Sequence, residues 1–141
     1  MEAPVEDKMK MMMIMRKDLG MRKGKMVAQG GHGVIHLMLG DLLWEAHLYG
    51  TPDKDYTTSI TIPKELVQWV LQGQRKICVG AKDENHIYQL HQQALVAGIK
   101  SVIITDSGLT EFAGKPTVTC CIMGPAPESE FDAITEGLPL L

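Results

Sequence analysis

Lys10-Met11-Met12-Met13-Ile14-Met15-Arg16, running on into Lys17-Asp18-Leu19-Gly20-Met21-Arg22-Lys23-Gly24-Lys25, is the stretch from which the fold is read. The run Met11 to Met15 lacks the in-out alternation of a strand with one wet face, and suits a strand buried on both faces, as in a parallel sheet. Asp18-Leu19-Gly20 then turns the chain. From about Arg22 to Tyr49 the apolar residues Met26, Val34, Ile35, Leu37, Met38, Leu42 and Leu43 recur at three- and four-residue spacing, which predicts a long helix. Gly30, Gly31 and Gly33 interrupt it, each at about 0.5–1 kcal/mol relative to alanine. That cost implies close approach of another backbone, from a sheet or from a second subunit.

Further along, Gly50 ends the helix and residues 51–61 form a polar loop. Pro63 is placed as the first residue of a second helix that stops at Gly73. Lys76 to Ala81 reads as a strand, and Asp83 caps a helix from Glu84 to Ala97, closed by Gly98. Ser101 to Thr105 is a strand, Asp106-Ser107-Gly108 a turn, and Thr117 to Met123 a further strand, antiparallel to the one before it. Gly124-Pro125-Ala126-Pro127 is expected to break the chain before a short helix around Ser129 to Glu136. The order β-α-α-β-α-β-β-α predicts an α/β fold, a single-domain mixed β-sheet of about four strands with helices on both faces. Residues 1–8 read as a disordered leader and residues 9–141 as the domain.

Composition agrees with one domain: 141 residues, 45% hydrophobic and 22% charged. No apolar run approaches the ~20 residues of a membrane span, and the methionine run is too short for a signal-peptide core, so the expected location is cytoplasmic. Seven of the ten methionines lie between Met9 and Met26; flexible core filler is a commoner use of such residues than copper binding. Cys78, Cys120 and Cys121 form no disulfide framework. Cys120 and Cys121, adjacent on a strand, should point to opposite faces. The chain has no C-x-x-C pairing, and no metal is expected.

A net charge of -3 discourages a nucleic-acid partner, but the distribution does not. Seven of the 14 basic residues, Lys8, Lys10, Arg16, Lys17, Arg22, Lys23 and Lys25, lie between positions 8 and 25, opposed there only by Asp18. Such clustering attracts phosphate, where the bland alternative is a solvated strand edge and helix start. The free N–H groups of a helix start beside these lysines suit an anion. The segment is not a phosphate-binding loop of the G-x-x-x-x-G-K-[ST] type, because Met26 follows Lys25. A second candidate is Asp106-Ser107-Gly108-Leu109-Thr110 at a strand end, with Thr117 and Thr119 on the next strand. A carboxylate among hydroxyls can position or deprotonate water, although a turn with strand-favouring threonines has the same composition. His32 and His36 have a metal-ligand spacing without an acidic partner nearby in sequence. His86 and His91 are expected to be exposed.

The string Met15-Arg16-Lys17-Asp18-Leu19-Gly20-Met21-Arg22-Lys23-Gly24-Lys25-Met26-Val27-Ala28-Gln29 resembles the signature R-x-D-L-x-M-x-K-G-K-x-A-A-Q of the archaeal/eukaryotic-type (type 2) peptidyl-tRNA hydrolases. The likeness continues through His32, Trp69, Gly73-Gln74-Arg75-Lys76 and Ala81-Lys82-Asp83-Glu84. It ends with Asp106-Ser107-Gly108-Leu109-Thr110 against D-A-G-R-T and Gly124-Pro125-Ala126-Pro127 against G-P-G-P. Leu109 replaces the family arginine, Val27 and Gly30-Gly31 depart from the small-residue pattern after K-G-K, and the Tyr49 to Ile62 connection is longer. The second family threonine maps to Thr117 or Thr119; counting back from Gly124-Pro125 favours Thr119.

The resemblance implies hydrolysis of peptidyl-tRNA to peptide and tRNA, recycling tRNA from aborted translation, by a homodimer without metal or organic cofactor and without DNA or a membrane as partner. It implies Lys25 as the essential cation, stabilising an oxyanion or the terminal phosphate. Asp106 would orient or activate water, with Thr110 and Thr119 hydrogen bonding to water or carbonyl. Arg16, Arg22, Lys23, Gln29 and His32 would bind substrate, Gln29 meeting the ester or holding the lysine. The alternative is a non-catalytic tRNA- or RNA-binding module of the same fold, which the loss of the arginine at Leu109 motivates.

Overall fold

The computed structural model describes residues 7–108 and 112–141. Of the expected leader, residues 1–6 lie outside the described residues, as do Leu109 and Thr110. The elements are β1 (Met9–Arg16), α1 (Lys23–Tyr49), α2 (Lys64–Leu71), β2 (Lys76–Ala81), α3 (Glu84–Val96), β3 (Ser101–Asp106), β4 (Thr117–Pro127) and α4 (Asp132–Thr135). One-turn 3-10 segments, Phe112–Gly114 and Glu128–Phe131, precede β4 and α4. This is the predicted order of strands and helices in one four-stranded sheet, arranged β2-β1-β4-β3.

β1 lies inside the sheet, parallel to β2 and antiparallel to β4. That position explains its methionine run: side chains of both parities are covered, Met11 and Met15 on one face and Met12 and Ile14 on the other. The first face packs Leu37 of α1 and Trp69 of α2; the second packs Ile87, Leu90 and Ala94 of α3 with Ile134 of α4. Cys120 and Cys121 divide between the two clusters as their adjacency predicts. Burial pushes their thiols up to about 12 and about 11 respectively, so both stay protonated and act as small apolar fillers.

The glycines of α1 separate by what they face. A methyl group on Gly30 would meet the tip of Met13 at 2.5 Å, and one on Gly33 would overlap Ile122, whereas Gly31 faces nothing within 4 Å. Sheet side chains, rather than another backbone, come close at Gly30 and Gly33. α1 can thereby lie flat on β3 and β4.

Three boundaries differ from expectation. Pro63 precedes α2 as its N-cap, its carbonyl accepting from the Leu66 and Val67 N–H groups. β3 extends one residue further, to Asp106, which both closes the strand and opens the turn by accepting from the Gly108 N–H. β4 does not stop at Gly124 but runs on to Pro127, pairing Ala126 with Lys10 and Pro127 with Met9. β3 pairs only as far as Met123. The Pro125–Pro127 stretch is therefore an edge on that side, where missing N–H donors are tolerated. His86 and His91 are half-buried, not exposed. The His86 Nδ1 accepts from the Lys82 N–H at 3.0 Å, and the His91 Nδ1 lies 2.7 Å from the Ser101 hydroxyl.

Candidate active site

The C-terminal ends of β1, β2 and β3 meet the start of β4 and the start of α1 at one edge of the sheet. Strand alternation turns Asp106, like Val102 and Ile104, toward α1. Lys25 descends from the first turn of α1, and Gln29, one turn further, is on the same helix face. Lys25 Nζ donates to Asp106 Oδ1 at 2.8 Å, with both side chains 12% exposed. Gln29 Nε2 donates to the same oxygen at 3.1 Å, and the Gly108 N–H donates to Asp106 Oδ2 at 2.8 Å. Gly108 holds a positive φ of 82°, and a Cβ there would strike the Lys115 backbone. Only glycine brings its N–H this close without strain.

The ionised carboxylate accepts only, so Gln29 must present its NH2 to Asp106 and its oxygen elsewhere. That oxygen accepts from the Thr119 hydroxyl at 2.6 Å, and Thr119 is fully buried. The result is a directed chain, Thr119 to Gln29 to Asp106, met from the other side by Lys25. Such chains polarise in sequence and fix one geometry. The hydrogen bond from Lys25 and the Gly108 N–H hold the Asp106 carboxyl below the usual carboxylate range, against the opposing effect of burial. The Phe112 ring centroid lies 5.6 Å from Lys25 Nζ, a cation–π neighbour that no sequence pattern signalled.

Thr119 reaches α1 because of a bulge. β3 and β4 pair Ile104 with Cys120 but Thr105 with Val118, leaving Thr119 as an extra residue. Regular alternation would put Thr119 on the face of Cys121. Instead Thr119 and Cys120 both face α1 while Val118 joins the α3 side. Thr117, the other candidate, bonds the Lys115 carbonyl at 2.8 Å, whereas the Gln29 side chain bonds Asp106 and Thr119.

The remaining site residues are distributed unevenly. Arg22 and Lys23 are exposed at the start of α1, whose first turn carries no acidic residue. His32 is exposed and stacks on His36 with centroids 4.7 Å apart, and no third metal-ligating side chain gathers with them among the described residues. Gln29 is buried and bonds Asp106 rather than Lys25. Arg16 is tied to Asp18 and to the Val118 carbonyl. The basic cluster of residues 8–25 is not one patch. β1 separates Lys8 and Lys10 from Arg16 by roughly 20–25 Å, and Glu128 lies beside that far end, bonding Arg75 at 3.0 Å.

At this end of the α/β sheet an ionised carboxylate is paired with an ammonium, beside an exposed basic helix start. The family model described as peptidyl-tRNA hydrolase PTH2 matches residues 9–141, and the chain belongs to that family. Among similar proteins, the peptidyl-tRNA hydrolase of Pyrobaculum aerophilum is 36% identical over 135 residues, covering 93% of this chain and 96% of that one. That of Thermococcus onnurineus is 33% identical, covering 94% and 97%, and that of Methanopyrus kandleri is 35% identical, covering 94% and 97%.

Proposed function

We propose that this protein is an enzyme that hydrolyses the ester joining a peptide to the 3′-terminal ribose of tRNA, releasing both and recycling tRNA from aborted translation. The observation that carries the reading is the connected cluster of Lys25, Asp106, Gln29 and Thr119, in a chain that belongs to the peptidyl-tRNA hydrolase PTH2 family. A carboxylate has roughly four acceptor positions. Three are occupied by Lys25, Gln29 and Gly108, which leaves one on Oδ2 for the attacking water. Its lowered pKa makes Asp106 a weak base, so its contribution is to orient that water more than to remove the proton. Lys25 supplies positive charge to the developing oxyanion or to the terminal phosphate. Thr119 acts through Gln29, and Thr110 supplies a further hydroxyl. Arg22, Lys23 and His32 meet the tRNA backbone.

No helix among the described residues is long and apolar enough to cross a membrane, and a cytoplasmic location suits a tRNA substrate. A homodimer is the assembly we infer. Trp44, Leu48 and Tyr49, at the end of α1, are 62%, 52% and 71% exposed, an apolar patch that a second copy would cover. A monomer by light scattering at micromolar concentration rejects that part.

The activity is tested by incubating the protein with purified peptidyl-tRNA and measuring free tRNA. Release that Lys25→Ala abolishes supports the reading. Binding without release would instead identify a non-catalytic RNA-binding module.

A further inference from the structure

The β1–β4 ladder ends at the pair Met15 and Cys120. One residue further, a side chain takes over from the backbone: Arg16 Nη1 donates to the Val118 carbonyl at 3.0 Å. The rest of the guanidinium forks onto Asp18, Nε to Oδ1 at 3.0 Å and Nη2 to Oδ2 at 2.7 Å, the bidentate geometry that only arginine offers a carboxylate. Three of its five N–H donors are thus committed within the protein. The side chain is 11% exposed. By alternation with Met12 and Ile14 it emerges on the α3 side of the sheet, whereas Lys25 and Asp106 meet on the α1 side.

Each partner of this clamp leads into the site. Val118 adjoins the bulged Thr119, whose orientation toward Gln29 depends on the bulge persisting. Asp18 belongs to the turn from which the chain enters α1 and so places Lys25. We infer that Arg16 is a positioning residue and not a tRNA contact: its guanidinium holds the β4 bulge that aims Thr119 and the turn that leads to Lys25. The assignment rests on the hydrolase reading above for its kinetic consequences, but its structural content stands apart from it. Without the clamp, Val118 and Thr119 can relax toward regular pairing, which turns Thr119 away from α1.

The test compares Arg16→Gln and Asp18→Asn with the wild-type chain, the second being a milder cut of the same fork. Both should lower kcat, Arg16→Gln by about 10- to 100-fold as expected of misplaced reacting groups, with KM and the salt dependence of tRNA binding unchanged. In a Thr119→Val background Arg16→Gln should cost less than it does alone, because the route through the bulge is already lost and only the route through the Asp18 turn remains. A raised KM with a shallower salt slope, or full additivity with Thr119→Val, overturns the inference. So does an unchanged kcat in both variants. The side-chain amide signals of Gln29 in NMR spectra give a readout independent of turnover. They should shift in Arg16→Gln in the direction seen for Thr119→Val, and their constancy overturns the inference even if the wild-type chain proves to have no hydrolase activity. That last outcome would reject the proposed function and not the clamp.

Discussion

Thr119→Val replaces a hydroxyl by a methyl of nearly the same shape at a fully buried position. Packing is kept, and what is lost is the 2.6 Å hydrogen bond that the Gln29 oxygen accepts. Gln29 is itself only 5% exposed, so water does not readily replace the donor. An unsatisfied buried acceptor costs about 1–3 kcal/mol. At this chain length that corresponds to a fall in Tm of roughly 4–12 °C. The carboxylate still requires the NH2 end of Gln29, but the other end of the amide loses the donor that anchors it. An unanchored Gln29 holds Asp106 less firmly, so the remaining acceptor position of the carboxylate would shift relative to the ester. Turnover should fall about 10- to 100-fold, while tRNA affinity, carried by the exposed start of α1, stays the same. Thermal unfolding and single-turnover release of tRNA measure the two effects separately. Thr119→Ser is the control: it keeps the donor and should recover most of the rate. If Thr119→Val melts and turns over like the wild-type chain, or Thr119→Ser fails to recover, the Thr119–Gln29–Asp106 chain does not set the rate.

Lys25→Ala should reduce hydrolysis by about 10²–10³ with the fold intact, as for loss of one preorganised charge at an oxyanion; activity within a fewfold of wild type rejects Lys25 as a site residue. The folded-state pKa of Asp106 is lowered, so its ion pair contributes stability above the unfolded value of about 3.9 that is lost as pH falls through the lower folded value. The stability gap between wild type and Asp106→Asn should therefore persist down to about pH 4 and close only in stronger acid; a gap that closes near neutral pH contradicts the ion pair. Binding of tRNA should weaken steeply with salt, and Arg22→Ala and Lys23→Ala should each lower the logarithmic slope by about one. Lys8→Ala and Lys10→Ala, at the far end of β1, should leave it unaltered, and an equal effect at both ends would show that the substrate spans the whole strand.

Local chemistry made much of this molecule readable without coordinates. An apolar run of one strand's length, a helix-period pattern ending at Gly50, and the capping Asp83 each act over a few neighbouring residues. Element order and both faces of β1 followed from them, whereas the membership of Lys25 and Asp106 in one site was implied by the family resemblance. The boundaries that shifted depend on distant partners. β4 continues through two prolines because β3 is no longer beside it there, and His91 is half-buried because Ser101 lies opposite.

Charge and side-chain direction are where tertiary structure decided. Residues 8–25 look like one basic cluster along the chain, yet an extended strand carries each residue about 3.3 Å further on and leaves two separate ends. Strand alternation directs Asp106 toward α1 correctly, but the same rule applied to β4 turns Thr119 away from it. The single extra residue at the β3–β4 bulge reverses that direction, and it arises from pairing between strands, which no local pattern encodes. The sequence by itself determined the order of the elements and nominated the residues proposed to carry the chemistry. Which way Thr119 turns, and the bond that ties Arg16 to the Val118 carbonyl, were decided only when the strands paired.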